Sequence, residues 1–378
     1  MCCCRASRFY RTFRMADGGN FHRWIMENIL DIDTVALDDE AGCIRAIDQT
    51  LLPGEIKVIE IREEEEMYDA IKRLVVRGAP AIGVFAAMGI YLLAKNMPQD
   101  SYEEFLKEYE RASDHLNSSR PTAVNLSWAL KRMRGVVEAH KAEPVPAIVS
   151  ALHDEAVTIR NEDVAVCKGI GENGLTLLHE GDGILTHCNA GQLATVRYGT
   201  ATAPMYLAHE KGMDIHVYCD ETRPLLQGAR LTAFELSSAG IDTTLQCDNM
   251  SASLMKAGKI NIIFTGCDRV AANGDTANKI GTSLVAAAAH LYNVPMYICA
   301  PTSTIDMATP TGEDIPIEQR NPDEVTEMWY ARRMAPENIH IYNPAFDVTD
   351  HELIAGIITE KGIAYPPYSK SLAEIMKK

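Results

Sequence analysis

The chain has 378 residues, 47% of them apolar and 23% charged, which is the balance of an ordinary folded protein with a large core. Its 36 basic residues against 52 acidic give a formal charge of −16, which argues against nucleic acid or a membrane surface as partner. No apolar run reaches membrane-spanning length, and the nearest, 79–94, is interrupted by glycines and reads as a buried helix.

The first twenty or so residues carry Arg5, Arg8, Arg11 and Arg14 but no apolar h-region, so they do not read as a secretory signal. Residues 1–30 are expected to form a flexible extension, with Met15 a second candidate start. Ten cysteines are present without CxxC pairs or even spacing. Cys2, Cys3 and Cys4 crowd the terminus. Cys167, Cys219, Cys247 and Cys299 lie in or beside apolar segments, as small core residues do in a reducing compartment such as the cytoplasm. No Cys/His cluster has zinc-ligand spacing, so no metal is expected.

Short strands are expected over 43–48 and 57–61, then a helix over 63–75 with Met67, Ile71 and Leu74 on one face. Arg77-Gly78-Ala79-Pro80 breaks the chain and opens the next helix, Pro80 suiting a first helical position. Ser101 to Glu104 is a capping-box pattern ahead of a helix bearing Phe105, Leu106 and Tyr109. Arg120-Pro121-Thr122-Ala123 opens another helix. A break over 143–146 precedes a helix around 149–160 that would join two domains.

From Gly181 the rhythm changes. β-rich runs at 184–187, 215–219, 243–247, 262–266 and 296–300 alternate with helical stretches at 224–237, 251–257 and 277–292. Such alternation predicts an α/β protein with a doubly wound parallel sheet. The strand ends then read Cys188, Asp220, Asp248 and Asp268, along the edge where open α/β sheets collect reactive groups.

Taken alone, Cys188 reads first as a buried cysteine closing a strand, and its place before the Gly191 turn adds a functional reading. His187 alternates away from it, so no Cys–His dyad is expected. Asp268 is either a cap or ion-pair partner of Arg269, or a proton donor whose pKa an apolar pocket raises. An inward-pointing Arg269 would oppose that. Asn278 and Lys279, at a helix entrance, suit a phosphate or else form a solvated first turn. Arg77 and Arg120 each sit beside a proline at a helix start, where guanidinium and backbone amides bind phosphate, or else make surface ion pairs. No spacing argument singles out Gln227.

Several strings resemble the methylthioribose-1-phosphate isomerase family. They are Arg77-Gly78-Ala79-Pro80-Ala81-Ile82, Arg120-Pro121-Thr122-Ala123-Val124-Asn125, and Leu185 through Gly191. Glu221-Thr222-Arg223-Pro224, Gln227-Gly228-Ala229-Arg230, Gly266 through Thr282 and Asn343 through Thr349 match as well. The resemblance spans about 35–366. It implies a smaller mixed, mostly helical domain over 31–150 and a Rossmann-like catalytic domain over 151–378. It also implies a homodimer and a cofactor-free isomerase of methionine salvage that opens and isomerises a sugar 1-phosphate. The matching aspartate, Asp268, is implied as proton donor, and Cys188 as a catalytic or charge-stabilising group. Arg77, Gly78, Ala79, Arg120, Gln227, Asn278 and Lys279 are implied as substrate contacts.

Related isomerases act on 5-deoxyribose 1-phosphate or ribose 1,5-bisphosphate, and regulatory subunits of a translation-initiation exchange factor share the superfamily. A second phosphate wants an extra basic group, whereas methylthio wants an apolar wall. Met88, Met250 and Trp329 are candidates for that wall or for ordinary core.

Overall fold

The computed structural model describes Ile29 and residues 32–121 and 123–378; apart from Ile29, the extension expected over 1–30 lies outside them. Near its start, β1 (Val35–Asp38), β2 (Cys43–Ile47) and β3 (Val58–Ile61) pair antiparallel in that order. Glu63 and Glu66 close a capping box at the head of α1 (Glu64–Lys72). The next helix, α2 (Ala79–Ala94), is apolar nearly all round and correspondingly buried. Ser101 Oγ accepts the Glu104 N–H at 3.3 Å and caps α3 (Tyr102–Ser118), which α4 (Val124–Ala139) follows.

The next helix, α5 (Val145–Leu175), runs 31 residues, far beyond the stretch expected around 149–160. Pro146 lies in its first turn, where a missing N–H costs nothing, and no later proline interrupts it. Its Ile148, Leu152 and Ile159 join an apolar cluster with Phe85, Phe105 and Leu126, while Ile170 belongs to a second cluster under the main sheet. Gly174 lets α5 close on the helix α6 (Ala203–Glu210), since a Cβ there would lie 2.5 Å from Pro204 Cγ.

The main sheet begins with β4 (Asp182–Thr186), β5 (Ile215–Asp220) and, after a π-helical turn at Gly228–Thr232 leading into α7 (Ala233–Ser238), β6 (Asp242–Gln246). After α8 (Ser251–Lys256) come β7 (Ile262–Thr265), β8 (Arg269–Ala271), β9 (Thr276–Lys279), α9 (Thr282–Tyr292) and β10 (Met296–Cys299). The chain ends with β11 (Ile305–Asp306), α10 (Asp323–Thr326), β12 (Phe346–Thr349), β13 (Gly356–Thr359), β14 (Gly362–Ala364) and α11 (Tyr368–Lys377).

Among the described residues, one sheet has the order β14-β13-β10-β7-β4-β5-β6, parallel except for β14. Its parallel strands thus run outward in both directions from β4 and β7, the doubly wound arrangement, and the winding reverses between those two. Alternate residues serve opposite faces. Ile184, Val217, Phe264 and Ile358 enter one apolar cluster; Leu185, Ile263, Ile298 and Ile357 enter another. A smaller sheet, β11-β8-β9-β12, stands beyond the carboxyl end of β7.

Two expected helices start late. Residues 276–279 are strand, because β8 and β12 complete their backbone hydrogen bonds, and the helix begins only at Thr282. Asn278 and Lys279 therefore stand on a strand end and not in a first helical turn. The expected 224–237 helix becomes regular only through the π-helical turn at Gly228–Thr232. Gly174→Val should force α5 and α6 apart and lower the unfolding free energy by about 1–3 kcal/mol, read from urea denaturation.

Candidate active site

β4 and β7 are neighbours, Leu185 lying beside Ile263, so both chains leave their carboxyl ends into one crevice at the reversal of winding. Cys188 lies just past β4 and Asp268 just past β7. Cys188 has a left-handed backbone, φ 70°. Its N–H donates to Thr222 Oγ1 at 2.9 Å, and its carbonyl accepts from Thr232 Oγ1 at 2.6 Å. Thr222 is also left-handed, φ 63°. The Asp248 carboxylate accepts the N–H groups of Thr222 and Arg223, each at 2.7 Å.

The Asp268 N–H donates to Ala277 O at 2.9 Å, which brings the end of β9 alongside it. Asn278 is buried there with its Nδ2 on Thr282 Oγ1 at 3.0 Å, and the Lys279 ammonium lies 4.6 Å from the centre of the Phe346 ring. Ahead of α2, Arg77 donates through Nη1 to Asn189 Oδ1 at 2.7 Å and through Nη2 to Asn189 O at 3.2 Å. Gly78 is the N-cap of α2 and Ala79 its first residue, so Pro80 falls second rather than first. Ahead of α4, the Arg120 carbonyl accepts the Ala123 N–H at 2.9 Å, while its guanidinium makes no hydrogen bond or ion pair to a described residue, although Asp268, Glu318 and Arg320 lie within reach of its charge.

The structure thus gathers Cys188, Asp268, Arg77, Arg120, Asn278 and Lys279 about one crevice. No hydrogen bond ties Gln227 to the others, and its buried Oε1 has no partner among the described residues.

Charge and burial oppose each other here. Burial pushes the Asp268 carboxyl above the usual range, while Lys279, Arg120 and Arg77 pull it down. Water still reaches its side chain through the open crevice. Burial likewise raises the Cys188 thiol against Lys279 and Arg77. Arg269 turns away to Asp306, at 3.3 Å, and leaves Asp268 to the other cations. Met88 is buried in the first apolar cluster, whereas Met250 and Trp329 are exposed, Trp329 donating to Pro224 O at 2.7 Å.

His187, Asp220 and Asp248 bring potential metal-ligand atoms within 4.8 Å of one another. Both ring nitrogens of His187 face acceptors, Asp220 Oδ2 at 3.0 Å and Ile280 O at 2.9 Å, so both carry protons. Burial opposes that charge, but the hydrogen bond and charge of Asp220 outweigh it and raise the pKa. An imidazolium offers a metal no lone pair, and the cluster is an ion pair bracing two strand ends. Its role is structural.

Sequence reasoning missed Asn189, Thr222, Thr232 and Glu235, which hold the crevice together. Glu235 is fully buried, and burial pushes its carboxyl up to about 8 against the pull of the Leu193 N–H and Arg77. An acid between Phe234 and Leu236 in an apolar helix was the available signal.

The initiation factor 2 subunit family matches residues 75–366. A methylthioribose-1-phosphate isomerase of Symbiobacterium thermophilum is 57% identical over 347 residues, 92% of this chain and 97% of the relative. The chain belongs to the methylthioribose-1-phosphate isomerase family. Membership in that family extends to a Clostridium botulinum relative named 5-deoxyribose 1-phosphate isomerase, 57% identical over 90% of this chain and 97% of its own. Among solved structures, a 5-methylthioribose 1-phosphate isomerase of Pyrococcus horikoshii matches with TM-score 0.88 and 42% identity over 94% of this chain and 99% of that one. A structure described as translation initiation factor eIF-2B, subunit delta, from A. fulgidus matches with TM-score 0.85 and 41% identity, over 92% of this chain and 100% of that one. The family's names therefore span sugar-phosphate isomerases and translation-factor subunits.

The half-buried Asp163, pushed up to about 7 by desolvation, and the buried Glu235, at about 8, and His187 each hold a proton more tightly folded than unfolded. Their stabilisation is full below the unfolded pKa values and fades as pH rises through the folded ones. The thermal midpoint should therefore fall between pH 6 and pH 8, and Glu235→Gln should make that fall shallower by about one proton's worth of slope.

Proposed function

We propose that the chain is an aldose–ketose isomerase converting 5-methylthioribose 1-phosphate to 5-methylthioribulose 1-phosphate. One observation carries the reading. A carboxyl and a thiol share a crevice with Arg77, Arg120 and Lys279, none of which forms an ion pair with a described carboxylate. Within a chain of charge −16, that is a pocket awaiting an anion. The family relatives support the assignment.

A furanose phosphorylated at C1 has no free carbonyl, so the ring must open first. In this reading Asp268 is the acid that protonates the ring oxygen as the C1–O bond breaks. The hydrogen at C2 then passes to C1, and the C2 hydroxyl gives its proton to the Asp268 carboxylate left by ring opening, so that the ketone forms and the acid is restored. Cys188 acts as the thiolate, which Arg77 and Lys279 favour against burial: it either takes the C2 hydrogen as a proton and returns it to C1, or steadies the positive charge at C2 while that hydrogen moves as a hydride. Arg77, Gly78, Ala79, Arg120, Gln227, Asn278 and Lys279 hold the substrate, the orphaned Gln227 oxygen offering an acceptor to a sugar hydroxyl. The phosphate neutralises the cations that depress Asp268, and the sugar displaces the water that reaches it. Binding therefore completes the acid.

A second reading, isomerisation of 5-deoxyribose 1-phosphate, has support from the equally similar relative of that name. Ribose 1,5-bisphosphate has less, because Arg320, the cation beside Arg120, is already engaged by Glu324 at 2.5 Å and Glu318 at 3.3 Å. The proposal extends to methionine salvage, a cytoplasmic location and a homodimer. It also includes a mixed, mostly helical domain over 31–150 and a Rossmann-like one over 151–378. The separate apolar clusters favour that division, although α5 runs through it unbroken.

Turnover of the three sugar phosphates by purified protein without added metal tests the reading. The methylthio sugar should be preferred. Preference for the deoxy sugar selects the second reading, and absence of turnover in folded protein favours the binding-subunit reading. Asp268→Asn should lower turnover at least about 100-fold with substrate binding retained. Full activity in that variant would remove its donor role, and unchanged turnover in Cys188→Ser would remove the base role of the thiol.

A further inference from the structure

We propose that Thr232 and Glu235, one turn apart at the π-to-α junction, are positioning residues that lock Cys188 and Arg77 into a single geometry. The inference rests on the reading above for what Arg77 grips. Thr232 Oγ1 donates to the Cys188 carbonyl at 2.6 Å and accepts from Asn189 Nδ2 at 3.1 Å, using its donor and an acceptor at once. Glu235 Oε1 lies 3.3 Å from the same Asn189 nitrogen, and Oε2 accepts the Leu193 N–H at 3.1 Å. With two acceptors on its nitrogen side, the Asn189 amide has one orientation. Its Oδ1 must face Arg77, whose Nη1 donates at 2.7 Å. Reversing the amide would set its NH2 against the guanidinium.

The relay thus runs from Glu235 through Asn189 to Arg77, with Thr232 tying the same asparagine to the backbone of Cys188. Three further observations fit it. Glu235 is completely buried, so its carboxyl serves the inside of the protein and reaches no substrate itself. Its carboxyl occupies the space that a Cβ on Gly191 would fill, so the loop after Cys188 can close on it only with glycine at that position. The π-helical turn Gly228–Thr232, which ends on the first of the pair, inserts extra backbone there, and such turns recur at functional sites.

Steady-state kinetics on 5-methylthioribose 1-phosphate test the relay. Glu235→Ala should raise KM about tenfold, Arg77→Ala at least as much, and the double variant should be no worse than Arg77→Ala alone. Glu235→Gln, which keeps the shape and one acceptor, should recover part of the loss, and it replaces Glu235→Ala should that variant fail to fold. Thr232→Val should lower kcat more than it raises KM, because it frees the Cys188 carbonyl. The rise in thermal midpoint caused by inorganic phosphate, measured in parallel, should shrink in the Glu235 variants as it does in Arg77→Ala. Folded Glu235 variants with unaltered KM and phosphate shift would overturn the proposal, as would Glu235 and Arg77 effects that multiply. Absence of wild-type turnover on any sugar 1-phosphate would instead overturn the isomerase reading, and the phosphate shift would still decide the relay.

Discussion

Parallel pairing of β4 with β7 at the reversal of winding is the constraint from which the rest of the crevice follows. A parallel strand pair puts both carboxyl ends on one edge, and the reversal sends the following segments to opposite sides of the sheet. The segments after Thr186 and Thr265 are therefore driven apart, and the gap between them is lined by whatever each carries first. Here those groups are a thiol and a carboxyl. The smaller sheet then closes one side of the gap, because the Ala277 carbonyl takes the Asp268 N–H. The helices near Arg77 and Arg120 close the other.

Electrostatics give this arrangement its direction. Half-buried cations without carboxylate partners are costly, and the protein meets that cost with neutral partners: hydrogen bonds to Asn189 for Arg77, and the face of the Phe346 ring for Lys279. A permanent carboxylate in those places would cancel the attraction for a phosphate. Asp268 and Glu235 are handled differently. Asp268 is left within reach of water, whereas Glu235 is sealed inside and engaged by backbone N–H groups. One is free to exchange a proton with a ligand and the other is not.

Much of this was legible in the sequence because the parallel strands are short apolar runs whose ends are punctuated by polar residues. Cys188, Asp220, Asp248 and Asp268 sit where strand periodicity put them. What escaped notice depends on partners distant in the chain. Residues 276–279 look like a helix entrance until β12, some seventy residues later, pairs with them. The full length of α5 was hidden because 143–146 resembles a break, although a proline in a first turn interrupts nothing. Glu235 was passed over because helical spacing reveals which face is buried, not which loop comes to lie against that face. In the sequence Asn189 is only a neighbour of Cys188, and only the fold shows it turned toward Arg77, far ahead of it in the chain.

Cys188 and Thr222 both hold a backbone conformation that costs a side-chain-bearing residue about 1–2 kcal/mol, and they hydrogen-bond to each other. Neither segment keeps that conformation cheaply by itself; each is retained because the other is in place. Regions of this kind lie at the low end of a protein's local stability and open while the sheet beneath remains intact. The crevice is thus held by mutual support between two segments, so that loosening one releases the other. A ligand spanning it would serve as a fastening for the protein as well as its cargo.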